Sequence, residues 1–134
     1  MRGLSLLCVS LLALVAVSGC HKQPSPEQAR QRLTGKYHLA GKECGSEVKS
    51  STLELRSDGS YDQHVEFATG ESLNEVGQQW SYDGGVHFSN FRITATGELN
   101  KYAPETETSL LVELSHPVVI LLDPSGGCFY SQPK

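Results

Sequence analysis

The sequence is poor in soft and basic side chains. It has one methionine, Met1, one tryptophan, Trp80, and four cysteines in 134 residues. Eleven Lys and Arg face fifteen Asp and Glu. From Cys20 onward the balance is 10 basic against 15 acidic residues in 115. A net negative segment offers no electrostatic footprint for a phosphate backbone, which argues against nucleic-acid binding. It gives no grip on anionic lipid head groups either. With Met1 the sole thioether, the soft ligands expected of a Cu(I) site are missing. No Gly-x-Ser-x-Gly elbow occurs, and the paired glycines at 84–85 and 126–127 lack the Lys-Ser/Thr of a phosphate loop. There is no tandem repeat and no low-complexity tract. What remains is one modest acidic domain, too small for two cores.

The apolar content is concentrated at the start. Thirteen of the first nineteen residues are apolar, with Arg2 ahead of a run from Leu4 to Val17. That run is shorter than the roughly 20 residues of a spanning helix and ends in small residues, as a secretory signal does. Val17-Ser18-Gly19-Cys20 resembles the lipobox of bacterial lipoproteins, with a branched residue, two small residues and the acceptor cysteine. The resemblance implies removal of residues 1–19, diacylglycerol on the Cys20 sulfur and a fatty acyl group, such as palmitate, on the new amine. It therefore implies a membrane partner reached through lipid at Cys20, since two or more chains anchor stably where one is marginal. His21 follows the acceptor instead of Asp, which resembles outer-membrane sorting toward the periplasm in a diderm cell. Cys8 departs with the leader.

Residues 20–32 read as a lipidated tether and a short helix. Ser25-Pro26-Glu27-Gln28 forms a capping box with proline at the first helical position. Ala29 and Leu33 lie four apart on one face, and two turns of helix require docking to persist.

Residues 33–134 read as a single β domain. Tyr37 and Leu39, then Leu53 and Leu55, then Tyr61, Gln63, Val65 and Phe67 alternate with polar neighbours at the period of a strand. Ser57-Asp58-Gly59-Ser60 is a hairpin turn between the second and third of these. Trp80 and Tyr82 share a strand face before an Asp83-Gly84-Gly85 turn into Val86 and Phe88. Phe91 and Ile93 continue that strand past a bulge or bend near Ser89-Asn90. Leu110–Leu114 and Val118–Leu122 form the last apolar pair, with Pro117 at their junction. A terminal strand holds Cys128 to Tyr130. About eight short antiparallel strands predict an all-β meander barrel or sandwich after the helix. The order Leu-x-Gly-x-Tyr, Leu-x-Leu-x-x-Asp-Gly-x-Tyr, Gly-x-x-Trp and Gly-x-x-Phe over Leu33–Phe88 resembles small lipocalin-like bacterial domains.

Two polar stretches, Ala68–Val76 and Thr96–Glu107, read as long loops. Glu98, Glu105 and Glu107 in the second form a candidate rim for a partner, because rims on β scaffolds are usually loops. Cys44 and Cys128 are left after processing, and in an oxidising compartment they read as one disulfide. His38 and His116 supply no compact zinc spacing beside them, and the disulfide removes the free thiol of a Cys-His nucleophile. His64 and His87 alternate with apolar residues and read as outward-facing. Asp62, Glu66, Glu71 and Asp83 are acidic, but spacing in sequence says nothing of the separation a glycosidase pair needs.

The expectation is an envelope lipoprotein that binds without catalysis and needs no cofactor. Charge favours a basic envelope protein as partner, as in small immunity lipoproteins that neutralise antibacterial effectors. The alternative is a lipocalin-like carrier of a small apolar or amphipathic ligand. That carrier would have Tyr61, Val65, Trp80 and Phe88 either lining a ligand site or packed as core. A cluster of His64 or His87 with two carboxylates in a cleft would point instead to a hydrolase.

Overall fold

A computed structural model describes residues 24–134. The leader, the lipobox and Cys20 lie outside the described residues. Helix α1 (Pro26–Leu33) begins as its sequence dictates: Ser25 Oγ accepts from Gln28 N at 3.2 Å, and Gln28 Oε1 accepts from Ser25 N at 3.0 Å. Its buried residues are Ala29 and Leu33. This two-residue stripe seats the helix on the barrel.

Eight strands follow: β1 (Gly35–Ala40), β2 (Val48–Leu55), β3 (Ser60–Phe67), β4 (Ser72–Tyr82), β5 (Val86–Ser89), β6 (Glu107–Glu113), β7 (Val119–Leu121) and β8 (Phe129–Ser131). Each pairs antiparallel with the next, and β8 returns to β1 to close the barrel. Closure pairs β1 with β8, while β4 meets β5 only over Trp80–Tyr82 and its Ser72–Gln79 stretch pairs with β3 alone. The period-two reading holds in β3, where Tyr61, Gln63 and Val65 are buried and Asp62, His64 and Glu66 are half-exposed. The Ser57–Ser60 turn is also as expected: Asp58 Oδ1 accepts from Ser60 N, and Gly59 supplies a φ of 89°.

Three sequence expectations change. Strand β4 begins at Ser72, so the loop expected over Ala68–Val76 is only a four-residue turn. Its strand character was hidden by a register shift, in which Tyr61 faces Gln78 but Gln63 faces Glu75, leaving Val76 and Gly77 bulged. Phe91 and Ile93 do not extend β5. The bend is there, with Asn90 at φ 53°, but the chain leaves the sheet and buries both side chains over the barrel's far end. A lone bridge, Ile93 to Leu99, and a 3₁₀ turn at Ala103–Glu105 order this segment. Glu107 is the first residue of β6, not loop. Pro117 sits at the β6–β7 junction, preceded by a cis peptide bond.

The barrel therefore has two covered ends. At one, α1 packs beside Trp80, whose indole donates to the Arg56 carbonyl at 2.9 Å under the Arg30 guanidinium. At the other, the 90–106 segment meets the Cys44–Cys128 disulfide, which joins residues 84 apart in sequence. Gly97 lies against Cys44 there, and Gly41, at φ 119°, packs so close to the Gly127 carbonyl that a Cβ would collide.

Candidate functional site

The barrel interior is the first place to look for a site, and it is full. Tyr61, Val65 and Phe88 are fully buried and Trp80 nearly so. Phe88 and Phe91 lie with ring centres 4.5 Å apart, Tyr61 and Phe88 at 5.0 Å, and Phe91 and Tyr130 at 6.0 Å. These are contact separations for packed rings. The four residues expected as ligand site or core are core.

A short polar chain threads this apolar interior. Tyr130 Oη lies 2.7 Å from Ser51 Oγ and accepts from Gln63 Nε2 at 3.0 Å, while Gln63 Oε1 accepts from Arg92 N at 2.8 Å. Each member is hydrogen-bonded, as buried polar groups must be. Burial pushes the Tyr130 hydroxyl up to about 12, against hydrogen bonds from Ser51 and Gln63 that lower it. Burial also raises Tyr37 and Tyr61, whose hydroxyls donate to the Leu33 and Ser89 carbonyls. Neutral, donating phenols of this kind are structural. Glu75 also points inward from β4 and meets Arg92 Nε at 3.6 Å.

Outside the barrel, His87 is the chemically most organised residue. Its Nε2 lies 2.6 Å from Asp83 Oδ1, and its Nδ1 lies 2.7 Å from Ser109 Oγ and 3.4 Å from Glu107 Oε1. The hydrogen bond from His87, with a second from Gly85 N, holds the Asp83 carboxyl below the usual range. Pairing of His87 with Ser109 across β5 and β6 makes this cluster, with the Asp83 turn supplying the third member. The cluster has the members of a Ser-His-Asp relay. The recess beside His87, lined by Gln79, Trp80, Ser81, Ser89 and Glu107 but by neither Ser109 nor Asp83, has a volume of about 140 Å³. Small-molecule sites usually hold about 300–1,000 Å³.

His64 belongs to a different face. It pairs with Asn74 at 2.5 Å in a groove of about 460 Å³ over β1–β4, where His38, Glu54 and Asp62 stand beside Tyr37, Leu53 and Val76. Asp62 is already committed. Two hydrogen bonds from Arg56, then one from Gly77 N, hold its carboxyl below the usual range. Among the described residues no group of three or more His, Cys, Asp and Glu is placed to hold a metal ion.

Glu98, Glu105 and Glu107 are all exposed and all lie toward the disulfide end, away from α1. They are not one cluster. Glu98 closes a turn against Gly45, Glu105 ends the 3₁₀ turn, and Glu107 reaches back to His87. Sequence reading missed the Ser51–Tyr130–Gln63 chain and the Glu75–Arg92 pair. Only Gln63, a polar residue in an inward position, signalled either. It also missed the His87–Ser109 contact, which depends on strand register. A scan against protein-family models and searches of curated proteins and solved structures find no match to this chain.

Proposed function

We propose that this chain is a lipid-anchored envelope protein that binds a basic protein partner and runs no reaction of its own, as an immunity or inhibitor protein does. The observation that carries the reading is the filled interior. With Phe88, Phe91, Tyr61 and Tyr130 in contact and both ends covered, recognition falls to the outer surface. A partner-binding protein needs no chamber. An anchor at Cys20 would precede α1 in the chain, and Glu98, Glu105 and Glu107 lie toward the end of the barrel opposite α1, which supports a rim presented away from a membrane. Carboxylates there favour encounter with a basic surface.

An eight-stranded closed barrel is compatible with a lipocalin-like binding fold, which keeps the small-ligand carrier as the alternative. A carrier would require Phe91 and its segment to withdraw. The His87 cluster favours a third reading, a hydrolase acting through Ser109; the adjacent recess of about 140 Å³, which Ser109 does not line, counts against it.

The test is mild cross-linking in the native envelope followed by mass spectrometry, comparing the anchored chain with Cys20→Ala. One basic protein recovered at near-equal amount in both, and lost on charge reversal of Glu98, Glu105 and Glu107 to Lys, supports the reading. Recovery of nothing above background overturns it. Ester turnover lost in Ser109→Ala would promote the hydrolase instead.

A further inference from the structure

The outer wall of the barrel is mostly polar, with one apolar row crossing β6, β7, β8 and β1 and exposed Val76 standing apart on β4. Outward positions of β2, β3 and β5 carry Thr52, Glu54, Asp62, His64, His87 and Ser89. Across β6, β7, β8 and β1 the aligned outward row is Leu111, Leu121, Phe129 and Ala40. Val119 stands beside it, in the next row toward α1. Leu111 is 55% exposed, and none of these residues belongs to the core or packs against it. The sequence cause is plain. Leu110–Val112 and Val118–Leu122 are continuous apolar runs, the pattern of strands covered on both faces. In the described chain the inner face is covered, whereas on the outer face Leu111 and Ala40 are exposed and Val119, Leu121 and Phe129 are half-buried. A contiguous apolar row of this kind marks an interaction surface.

From this we infer that the Leu111–Leu121–Phe129–Ala40 row is the docking face for a basic protein presenting an apolar ridge between lysines or arginines. The inference rests on the protein-partner reading above and names its surface. The occupant follows from the charges around the row. Glu107, which also meets His87, and Glu113 flank Leu111 along β6, Asp123 follows β7, and Glu43 lies against Gly127 beside Phe129, with Lys42, His38 on β1 and Arg32 at the Leu114 carbonyl opposing them. A second copy would set carboxylates against carboxylates, and an anionic lipid surface would be repelled likewise. A basic partner pairs with that border while its apolar ridge covers the row. Beside Phe129 an open, shallow depression lined by Gly41, Lys42, Glu43, Gly126 and Gly127 continues the row.

The probes are two synthetic peptides with the same leucine and phenylalanine spacing, one flanked by lysines and one by glutamates. Each is titrated into the Cys20→Ala chain and followed by residue-resolved NMR, with sedimentation of the chain alone. The lysine peptide is expected to shift Leu111, Leu121 and Phe129, binding roughly tenfold tighter than the glutamate peptide at low salt. Leu111→Ser with Phe129→Ser is expected to weaken it about fivefold or more with thermal stability unchanged. Equal binding of both peptides overturns the inference, as does dimerisation through this face. Shifts confined to Glu98, Glu105 and Glu107 overturn this face but keep the partner reading. No shift with either peptide removes the face, and the native-envelope capture then decides the partner reading separately.

Discussion

Gln63 Nε2 donates to the Tyr130 hydroxyl at 3.0 Å, joining residues 67 apart inside the closed barrel. Because Gln63 Oε1 also holds Arg92 N, the same side chain fastens the 90–106 segment to the barrel wall. Ser51 completes the chain from β2. Three strands and the covering segment thus meet on one polar thread.

Removing one member leaves its partner buried without a bond. Gln63→Leu strands the Arg92 amide, and Tyr130→Phe strands Gln63 Nε2. Each is expected to cost about 1–3 kcal/mol in urea unfolding. The double variant is expected to cost less than the sum, since both disrupt one network. Strict additivity would show that the thread does not act as a unit.

Phe91→Ala removes a ring that touches Phe88 and Tyr130. The expected loss is about 3–5 kcal/mol, with a cavity left behind. An apolar fluorophore should then bind the variant but not the parent chain. Binding of equal strength to the parent would show an accessible interior and favour the carrier.

Reduction of Cys44–Cys128 frees a loop of 84 residues in the unfolded state. Chain-entropy reasoning places the loss near 4–5 kcal/mol, the upper end of the usual range. Paired Cys44→Ser and Cys128→Ser should lower the urea midpoint by a matching amount. Loss under 1 kcal/mol would mean that the 90–106 segment holds that end closed alone.

Alkaline pH should unfold the barrel. Burial raises Tyr37, Tyr61 and Tyr130 above the ordinary value of 10.0, Tyr130 to about 12. Below pH 10 the folded and unfolded phenols are equally protonated and the stabilisation is complete. As pH rises from 10 toward 12 the unfolded chain loses protons first, so stability falls. Tyrosinate absorbance should appear together with loss of near-ultraviolet dichroism. Ionisation of all three phenols before any unfolding would contradict their burial.

The turns and caps were legible because they are local. Ser25, Gln28, Asp58 and Gly59 act within a few residues of themselves, so the local order of residues identifies them. The disulfide was legible because, of the four cysteines, Cys44 and Cys128 are the two that the expected leader and lipobox leave over. Ser72–Val76 was not legible as strand. Its period is broken at Val76–Gly77, and Glu75 takes an inward position opposite Gln63, where Arg92 meets it from a distant segment. Phe91 and Ile93 have the look of strand residues, and in isolation nothing distinguishes a strand from a plug.

The candidate site divides the same way. That His64 and His87 face outward follows from alternation within β3 and β5. That His87 meets Ser109, Asp83 and Glu107 follows from the register of β5 on β6, which a one-residue slip would abolish.

The amino-acid order by itself determined the helix start, the hairpin turns, the inward phase of β3 and the disulfide pair, since each rests on near-neighbour chemistry or on elimination. Only the tertiary structure decided that the interior is solid and that the 90–106 segment seals one end. It alone set the apolar runs of β6 and β7 side by side on the outer wall. Those outcomes depend on which strands lie next to each other and on how tightly rings from distant positions fill a closed barrel.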